Sequence, residues 1–169
     1  PTRSHARKVL MLAGCVQPAM MPTIDAATIR VLDAVGIGAR IAPGAGCCGA
    51  VSFHLDAQDE ALGQMRANVD AWWPLVQDGK IEAIVMNASG CGAMVKEYAH
   101  HLRHDPAYAQ KAADIVALVK DVAEIVAPDA DKLRALLPAG TRAAFHPPCT
   151  LQHWQGLRPL SEQLLVDLG

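Results

Sequence analysis

The chain contains few aromatic residues, which make up 4% of its 169 residues. Its core must therefore be built mainly from Ala, Val, Leu and Ile. The chain also lacks an excess of positive charge, because its formal net charge is −2. A nucleic-acid groove needs a dense basic patch, so nucleic acid is not expected as a partner.

Long hydrophobic runs are absent as well. No stretch of about 18 uninterrupted apolar residues occurs, so no membrane span is expected. The basic start of the sequence is not followed by the apolar region and cleavage site of a signal peptide. We therefore expect a cytoplasmic location, with membrane association limited to peripheral binding at the inner face.

Common catalytic motifs are also missing. We find no Walker loop and no recognisable nucleophile–base pair. The glycine-rich segment around Cys47 is not a dinucleotide fingerprint, because thiols stand where a phosphate would approach. No catalytic residue is therefore assigned.

Short apolar runs alternate with longer segments of helical periodicity. The pattern predicts strands over 8–13, 40–42, 82–86 and 141–145, and helices over 22–35, 62–76, 112–126 and 161–168. Asp56 is predicted to cap the second of these helices. Alternating strands and helices imply parallel strands joined by right-handed crossovers. We therefore predict an α/β fold, a three-layer sandwich around a parallel, Rossmann-like sheet.

Each predicted strand is followed by cysteine: Cys15, the pair Cys47 and Cys48, Cys91, and Cys149. An odd total of five cysteines does not suit a secreted disulfide scaffold. The carboxyl ends of parallel strands lie along one edge, where ligands of open sheets bind. The sequence therefore predicts that the first four cysteines form one metal site at this edge.

Four thiolates can hold either Zn²⁺ or an iron–sulfur cluster. Glycines stand beside each sulfur, and their N–H groups can point at cluster sulfides. The alternative is that these cysteines are simply buried, as free cysteines often are. Adjacent cysteines in a strand would point to opposite faces, whereas Cys47 and Cys48 in a loop can face one metal.

The end of the sequence resembles its beginning. A predicted strand, Cys149 and a helix ending at Gly169 repeat the order of strand, Cys15 and helix ending at Gly36. The offsets from cysteine to glycine are 20 and 21 residues. We therefore expect residues 1–140 to form one module and residues 141–169 to begin a second, truncated one.

In the cysteine pattern, Cys15 is followed after 31 residues by Cys47-Cys48-Gly49, and then by Cys91. This pattern resembles the CCG (cysteine-rich) domain family over essentially the whole chain. The segments GCVQPAM, GAGCCGAVSFHL, NASGCGAM and HPPCTLQHWQGL are most similar to the branch found in iron–sulfur subunits of glycolate oxidase. The chain would then be the first CCG module and the start of the second.

The resemblance implies an electron-transfer module of a 2-hydroxyacid oxidase or dehydrogenase, with glycolate as the expected substrate of the complex. A 4Fe–4S cluster on Cys15, Cys47, Cys48 and Cys91 is the implied cofactor, and an exposed cluster of this kind can be lost from the isolated chain. Flavin-containing oxidase subunits, a ferredoxin-type domain and the second CCG module are the implied partners. Cys149 would be a ligand of that second module.

One position departs from the family pattern. The fullest family motif ends in CxxC and supplies five cysteines to a non-cubane cluster, but Ala88 stands at the first position of that pair. This favours a four-cysteine cluster, or an incomplete site with Asn87, Ser89 or His54 nearby. A structural zinc module and a cluster-free module that docks a flavin subunit stay open as alternatives.

Two further groups admit a structural and a functional interpretation. His100 and His104 share a helix face and could bind a metal, but without a third ligand they are more typical of a solvated helix end. Trp72 and Trp73 are more typical of core packing than of a partner surface.

Overall fold

The computed structural model describes residues 5–138, 140 and 142–169. At its centre lie four strands, all in one sheet: β1 (Arg7–Met11), β2 (Ile37–Arg40), β3 (Ala83–Met86) and β4 (Val119–Asp121). Their order is β2-β1-β3-β4, and every neighbouring pair is parallel. The predicted α/β class with a parallel sheet is confirmed.

Ten α-helical segments surround the sheet in the described part of the chain. They are α1 (Gln17–Met20), α2 (Pro22–Ala34), α3 (Ala50–His54), α4 (Gln58–Val76), α5 (Ser89–Lys96), α6 (Tyr98–His101), α7 (Ala109–Ala117), α8 (Val122–Val126), α9 (Ala130–Arg134) and α10 (Arg158–Leu168). A 3₁₀ turn covers Ala127–Asp129, and a π-helical turn covers Thr150–Trp154.

Helices cover both faces of the sheet, as a three-layer sandwich requires. On one face, Leu10, Ile84 and Met86 of the sheet pack with buried residues of α4, α5, α6 and α7. On the other face, Val9 and Val85 pack with α2, α8 and α9. Neighbouring residues of one strand thus enter different cores, because side chains alternate across a sheet. β3 is apolar throughout for that reason, and β1 is apolar from Val9 to Met11.

The start and end of α2 agree with the predicted helix over 22–35. Pro22 opens the helix at its first turn, where a missing N–H costs little. Gly36 follows it with φ +85°, a left-handed conformation that ends the helix. The predicted final helix is also confirmed, by α10.

The predicted long helix over 112–126 is wrong, because β4 interrupts it. Val119 and Asp121 are buried while Lys120 between them is exposed, which is the alternation of a strand. These residues pair in register with Ile84, Val85 and Met86 of β3. Asp121 then caps α8 through a capping box with Glu124, so a new helix starts there.

The predicted strand over 141–145 is also not found. Thr141 lies outside the described residues, and 142–148 have no regular structure. The place beside β3 is occupied by β4.

Two smaller predictions also differ from the structure. The second strand is Ile37–Arg40 and ends where the prediction began it, at Arg40. Asp56 does not cap α4, since it has φ +62° and Ala57 stands at the N-cap without a side-chain hydrogen bond. Among the described residues, no helix is both long and apolar enough to cross a membrane.

Candidate metal centre

The four cysteines of the predicted site lie on three loops at the carboxyl edge of the sheet. Cys15 lies between β1 and α1, Cys47 and Cys48 lie between β2 and α3, and Cys91 lies in the first turn of α5, after β3. β1 and β3 are neighbours, and the chain continues from them to opposite edges of the sheet. Ligands of open parallel sheets bind at such a switch point.

The four thiols lie near one another. The Cys47 thiol neighbours that of Cys15, and the Cys48 thiol neighbours those of Cys47 and Cys91, closely enough for each to affect the ionisation of the next. Cys91 also lies near enough to Cys15 and Cys47 for their charges to affect it. Residues up to 76 positions apart in sequence are thus brought together, from Cys15 to Cys91.

Of Cys47, Cys48 and Cys91, it is Cys48 that ionises most readily. A hydrogen bond from the Cys91 thiol, supported by the N–H groups of Ala50 and of Cys48 itself, lowers the pKa of Cys48 to about 7 despite its burial. Because Cys91 donates to Cys48 and is also desolvated, the pKa of Cys91 is raised. Burial raises the pKa of Cys47, against an opposing hydrogen bond from the N–H of Gly49.

Exposure differs strongly among these thiols. Cys15 is exposed, Cys47 and Cys91 are half-buried, and Cys48 is only 3% exposed. Within the described residues, no group of three or more His, Cys, Asp or Glu side chains is arranged so that it could hold a metal ion. The structure therefore brings the four cysteines to one edge of the sheet, and the metal centre itself remains a prediction.

Gly49 shapes the turn after the two adjacent cysteines. Its φ is +89°, in the left-handed region that favours glycine, and it precedes the first residue of α3. A Cβ at this position would lie 3.1 Å from the carbonyl oxygen of Ala61 in α4. The loop thus needs glycine both for its backbone conformation and for its close approach to α4.

Two buried polar residues that the sequence analysis missed hold the Cys47–Cys48 loop. Asn68 of α4 accepts a 2.8 Å hydrogen bond from the N–H of Gly46 and donates a 2.8 Å hydrogen bond to the carbonyl oxygen of Cys47. Tyr98 of α6 donates through its hydroxyl to the carbonyl oxygen of Cys48, at 2.8 Å. The one sequence signal was a polar Asn on the apolar face of α4.

The residues predicted to lie near the site have other partners. The amide of Asn87 donates to Asp25 and Thr28 of α2, at 2.9 and 3.0 Å. The Ser89 hydroxyl accepts a hydrogen bond from Thr150, at 2.8 Å. His54 ends α3, with its ring edge-on to the ring of Phe53. None of these contacts is to a thiol.

Cys149 does not follow a strand, contrary to prediction. It immediately precedes the π-helical turn Thr150–Trp154, which packs against α5. Besides the bond from Thr150, the side chain of Gln155 donates to the carbonyl oxygen of Ser89, at 3.1 Å. Cys149 itself is exposed and is not among the main influences on the pKa values of Cys47, Cys48 and Cys91.

The predicted helix face shared by His100 and His104 is not found, because α6 ends at His101 and His104 lies in the turn after it. Both side chains are exposed, as at a solvated helix end. Trp72 is fully buried and stacks on Tyr98 with ring centroids 6.5 Å apart. Trp73 packs, half-buried, against the same core.

The lowered pKa of Cys48 predicts an early step in the titration of the metal-free protein. One thiolate is expected to form near pH 7, whereas a free thiol ordinarily ionises near 8.5. Below this step Cys48 is protonated, so its negative charge is gained as the pH rises. This first ionisation step is measured by recording the ultraviolet absorbance of the thiolate against pH under reducing conditions.

Variants of single cysteines identify the thiol that ionises in this early step. Cys48→Ala should remove the early step, Cys91→Ala should move it to higher pH by deleting the donor, and Cys149→Ala should leave it in place. A titration in which all five thiols ionise together at their ordinary pH would contradict the assignment.

Comparison with known proteins agrees with this arrangement. Residues 9–96 match the family model of the cysteine-rich CCG domain. The chain belongs to the CCG domain family. The matched segment contains Cys15, Cys47, Cys48 and Cys91 and ends before Cys149. The resemblance inferred from the cysteine pattern is therefore confirmed.

Several known proteins are similar in sequence to this chain. It is 48% identical to the glycolate oxidase iron–sulfur subunit of Escherichia coli, over all of this chain and 41% of that protein. It is 30% identical to a probable glycolate oxidase iron–sulfur subunit of Bacillus subtilis, over 71% of this chain and 26% of that protein. Lactate utilization protein A of Oceanobacillus iheyensis is 24% identical over 95% of this chain and 64% of its own length. The chain thus spans less than half the length of the two glycolate oxidase relatives.

Proposed function

We propose that this chain is the iron–sulfur electron-transfer module of a complex that oxidises a 2-hydroxyacid, with glycolate as the substrate. The observation that carries the proposal is the convergence of four cysteines, from three loops, at the switch point of the sheet. The similarity to a protein named as an iron–sulfur subunit of glycolate oxidase supports the substrate.

By residue type the four cysteines suit a cluster, although within the described residues no group of three or more such side chains is arranged to hold a metal ion. A 4Fe–4S cluster takes four thiolates, and these would come from Cys15, Cys47, Cys48 and Cys91. The bound cluster would give the chain the ability to transfer single electrons. Nearby backbone N–H groups act to lower the pKa values of Cys47 and Cys48, and such donors stabilise negative charge at a cluster. The exposed Cys15 leaves one side of the site open to solvent.

In this function the chain relays electrons and performs no chemistry on the substrate. A flavin-containing subunit would deliver them, and a ferredoxin-type domain and a second CCG module would complete the protein. The segments beside the cysteines, α1 and α3 with the residues next to them, expose large apolar side chains. These side chains support docking of a partner there, and they are Val16, Met20, Met21, Val51 and Leu55. The proposed location is cytoplasmic, with at most peripheral attachment to the inner membrane face.

The proposed division of the chain places residues 1–140 in the first module and residues 141–169 at the beginning of the second. Cys149 would then be a ligand of the second module. The family match over 9–96 supports this division, because it takes in the other four cysteines and leaves Cys149 outside.

Anaerobic reconstitution with iron and sulfide tests the proposal. We expect roughly four iron and four sulfide per chain, with the broad visible absorbance of thiolate–iron charge transfer. About one zinc per chain without sulfide would instead support a structural zinc module. Protein that binds neither metal would contradict the electron-transfer function and favour an interaction module.

A further inference from the structure

The carbonyl oxygens of both adjacent cysteines are hydrogen-bonded by buried side chains. Asn68 donates to the oxygen of Cys47 and Tyr98 donates to the oxygen of Cys48, both at 2.8 Å. Asn68 and Tyr98 are each 0% exposed. The two peptide groups of the Cys47-Cys48-Gly49 turn therefore have their oxygen atoms directed into the core.

A trans peptide places its N–H opposite its C=O, and the described chain contains no cis peptide bond. The peptide whose oxygen faces Asn68 carries the N–H of Cys48, and the peptide whose oxygen faces Tyr98 carries the N–H of Gly49. Both N–H groups must then point away from the core, toward the thiols. In agreement with this, the N–H of Gly49 acts to lower the pKa of the Cys47 thiol and the N–H of Cys48 acts to lower the pKa of its own thiol.

We propose that Asn68 and Tyr98 are positioning residues that fix the two peptide groups so that the N–H groups of Cys48 and Gly49 point at the cysteine sulfurs. The inference rests on the proposed function for its redox consequence, but the peptide orientation itself does not depend on a bound cluster.

The surroundings of the two side chains leave them little freedom. The Asn68 amide also donates to the Tyr98 hydroxyl, at 3.0 Å, so the two act as one network. The Tyr98 ring stacks on the buried Trp72, which fixes the direction of its hydroxyl. Asn68 uses its oxygen for the N–H of Gly46, so its amide cannot turn over without losing bonds on both sides.

Tyr98→Phe tests the inference because it removes one hydroxyl and keeps the buried ring. Amide hydrogen exchange by NMR on the metal-free protein should show faster exchange at the N–H of Gly49, by about fivefold or more, the factor expected for one lost hydrogen bond. Tyr108→Phe is the matched control, because the Tyr108 hydroxyl donates to Asp70 at the surface. This control should leave the exchange rate of the Gly49 N–H unchanged.

Asn68→Ala is a second variant, which should speed hydrogen exchange first at the N–H of Cys48, because Asn68 holds the peptide that carries this group. Far-ultraviolet circular dichroism and thermal unfolding show whether each variant keeps its fold. If folded Tyr98→Phe and Asn68→Ala both leave the exchange rates and chemical shifts of Cys48 and Gly49 as in the wild type, the inference is overturned.

The reduction potential of the reconstituted protein tests the redox consequence. Donors to cluster sulfurs stabilise the reduced, more negative state, so Tyr98→Phe should shift the midpoint potential to a more negative value than wild type and Tyr108→Phe. An unchanged potential in Tyr98→Phe would refute this consequence. Failure of wild-type protein to take up iron would refute the proposed function instead, while the exchange experiment still decides the peptide orientation.

Discussion

Replacing Cys48 by serine is expected to abolish cluster uptake in anaerobic reconstitution, and with it the visible absorbance. Cys48 is the thiol at the centre of the group, since both Cys91 and Cys47 affect its pKa. It also has the lowest pKa of the cysteines with a resolved shift, so it is the first of them to become a thiolate ligand. A serine hydroxyl does not ionise in this range.

Iron and sulfide assays on the purified variant measure the effect, and the expected loss is from roughly four iron per chain to less than one. Cys149→Ser is the matched control, since Cys149 is exposed and belongs to the segment outside the family match. It should retain its iron. Equal loss in both variants would show that Cys149 is a ligand of the same centre, whereas full retention in Cys48→Ser would remove Cys48 from the site.

Sequence reasoning located the cysteines because their placement follows from topology. Once strands alternate with helices, a parallel sheet with right-handed crossovers is the expected fold, and residues after its strands share an edge. Cys15, Cys47, Cys48 and Cys91 obey that rule. Cys149 was assigned by the same rule and does not follow a strand, because the apolar segment before it has no place in the sheet.

The fourth strand was missed because it is only three residues long and is embedded in apolar residues at helical spacing. Its pairing with β3 is a tertiary contact that periodicity does not record. One local signal was present, since Asp121 followed by Glu124 is a capping box that marks the start of a helix. That box divides the segment at the correct place.

The hydrogen bonds of Asn68 and Tyr98 could not be predicted from spacing. The partner of Asn68 is a loop 21 residues earlier, and that of Tyr98 is 50 residues earlier. A single polar residue on an apolar helix face indicates that some buried partner exists, because an unpaired amide would be costly, but it does not name the partner. Only the folded structure shows which residue that partner is.

Replacing Gly49 by alanine is expected to give the largest loss of stability among single-methyl additions to glycines of this chain. The left-handed backbone at Gly49 costs about 1–2 kcal/mol for a residue with a Cβ. The added Cβ would also approach the backbone oxygen of Ala61 to 3.1 Å, and crowding of this kind adds about 1–3 kcal/mol. Backbone atoms of α4 cannot rotate away as a flexible side chain would.

Urea unfolding of the metal-free protein measures this loss, and Gly79→Ala is the matched control. Gly79 also has a positive φ, +68°, but a Cβ there meets nothing within 4 Å. The control should therefore lose only the backbone share, about 1–2 kcal/mol. If Gly49→Ala loses no more than Gly79→Ala, the close approach of the Cys47–Cys48 loop to α4 does not constrain this position. A larger loss would show that this contact, and not the backbone conformation alone, requires glycine after the two cysteines.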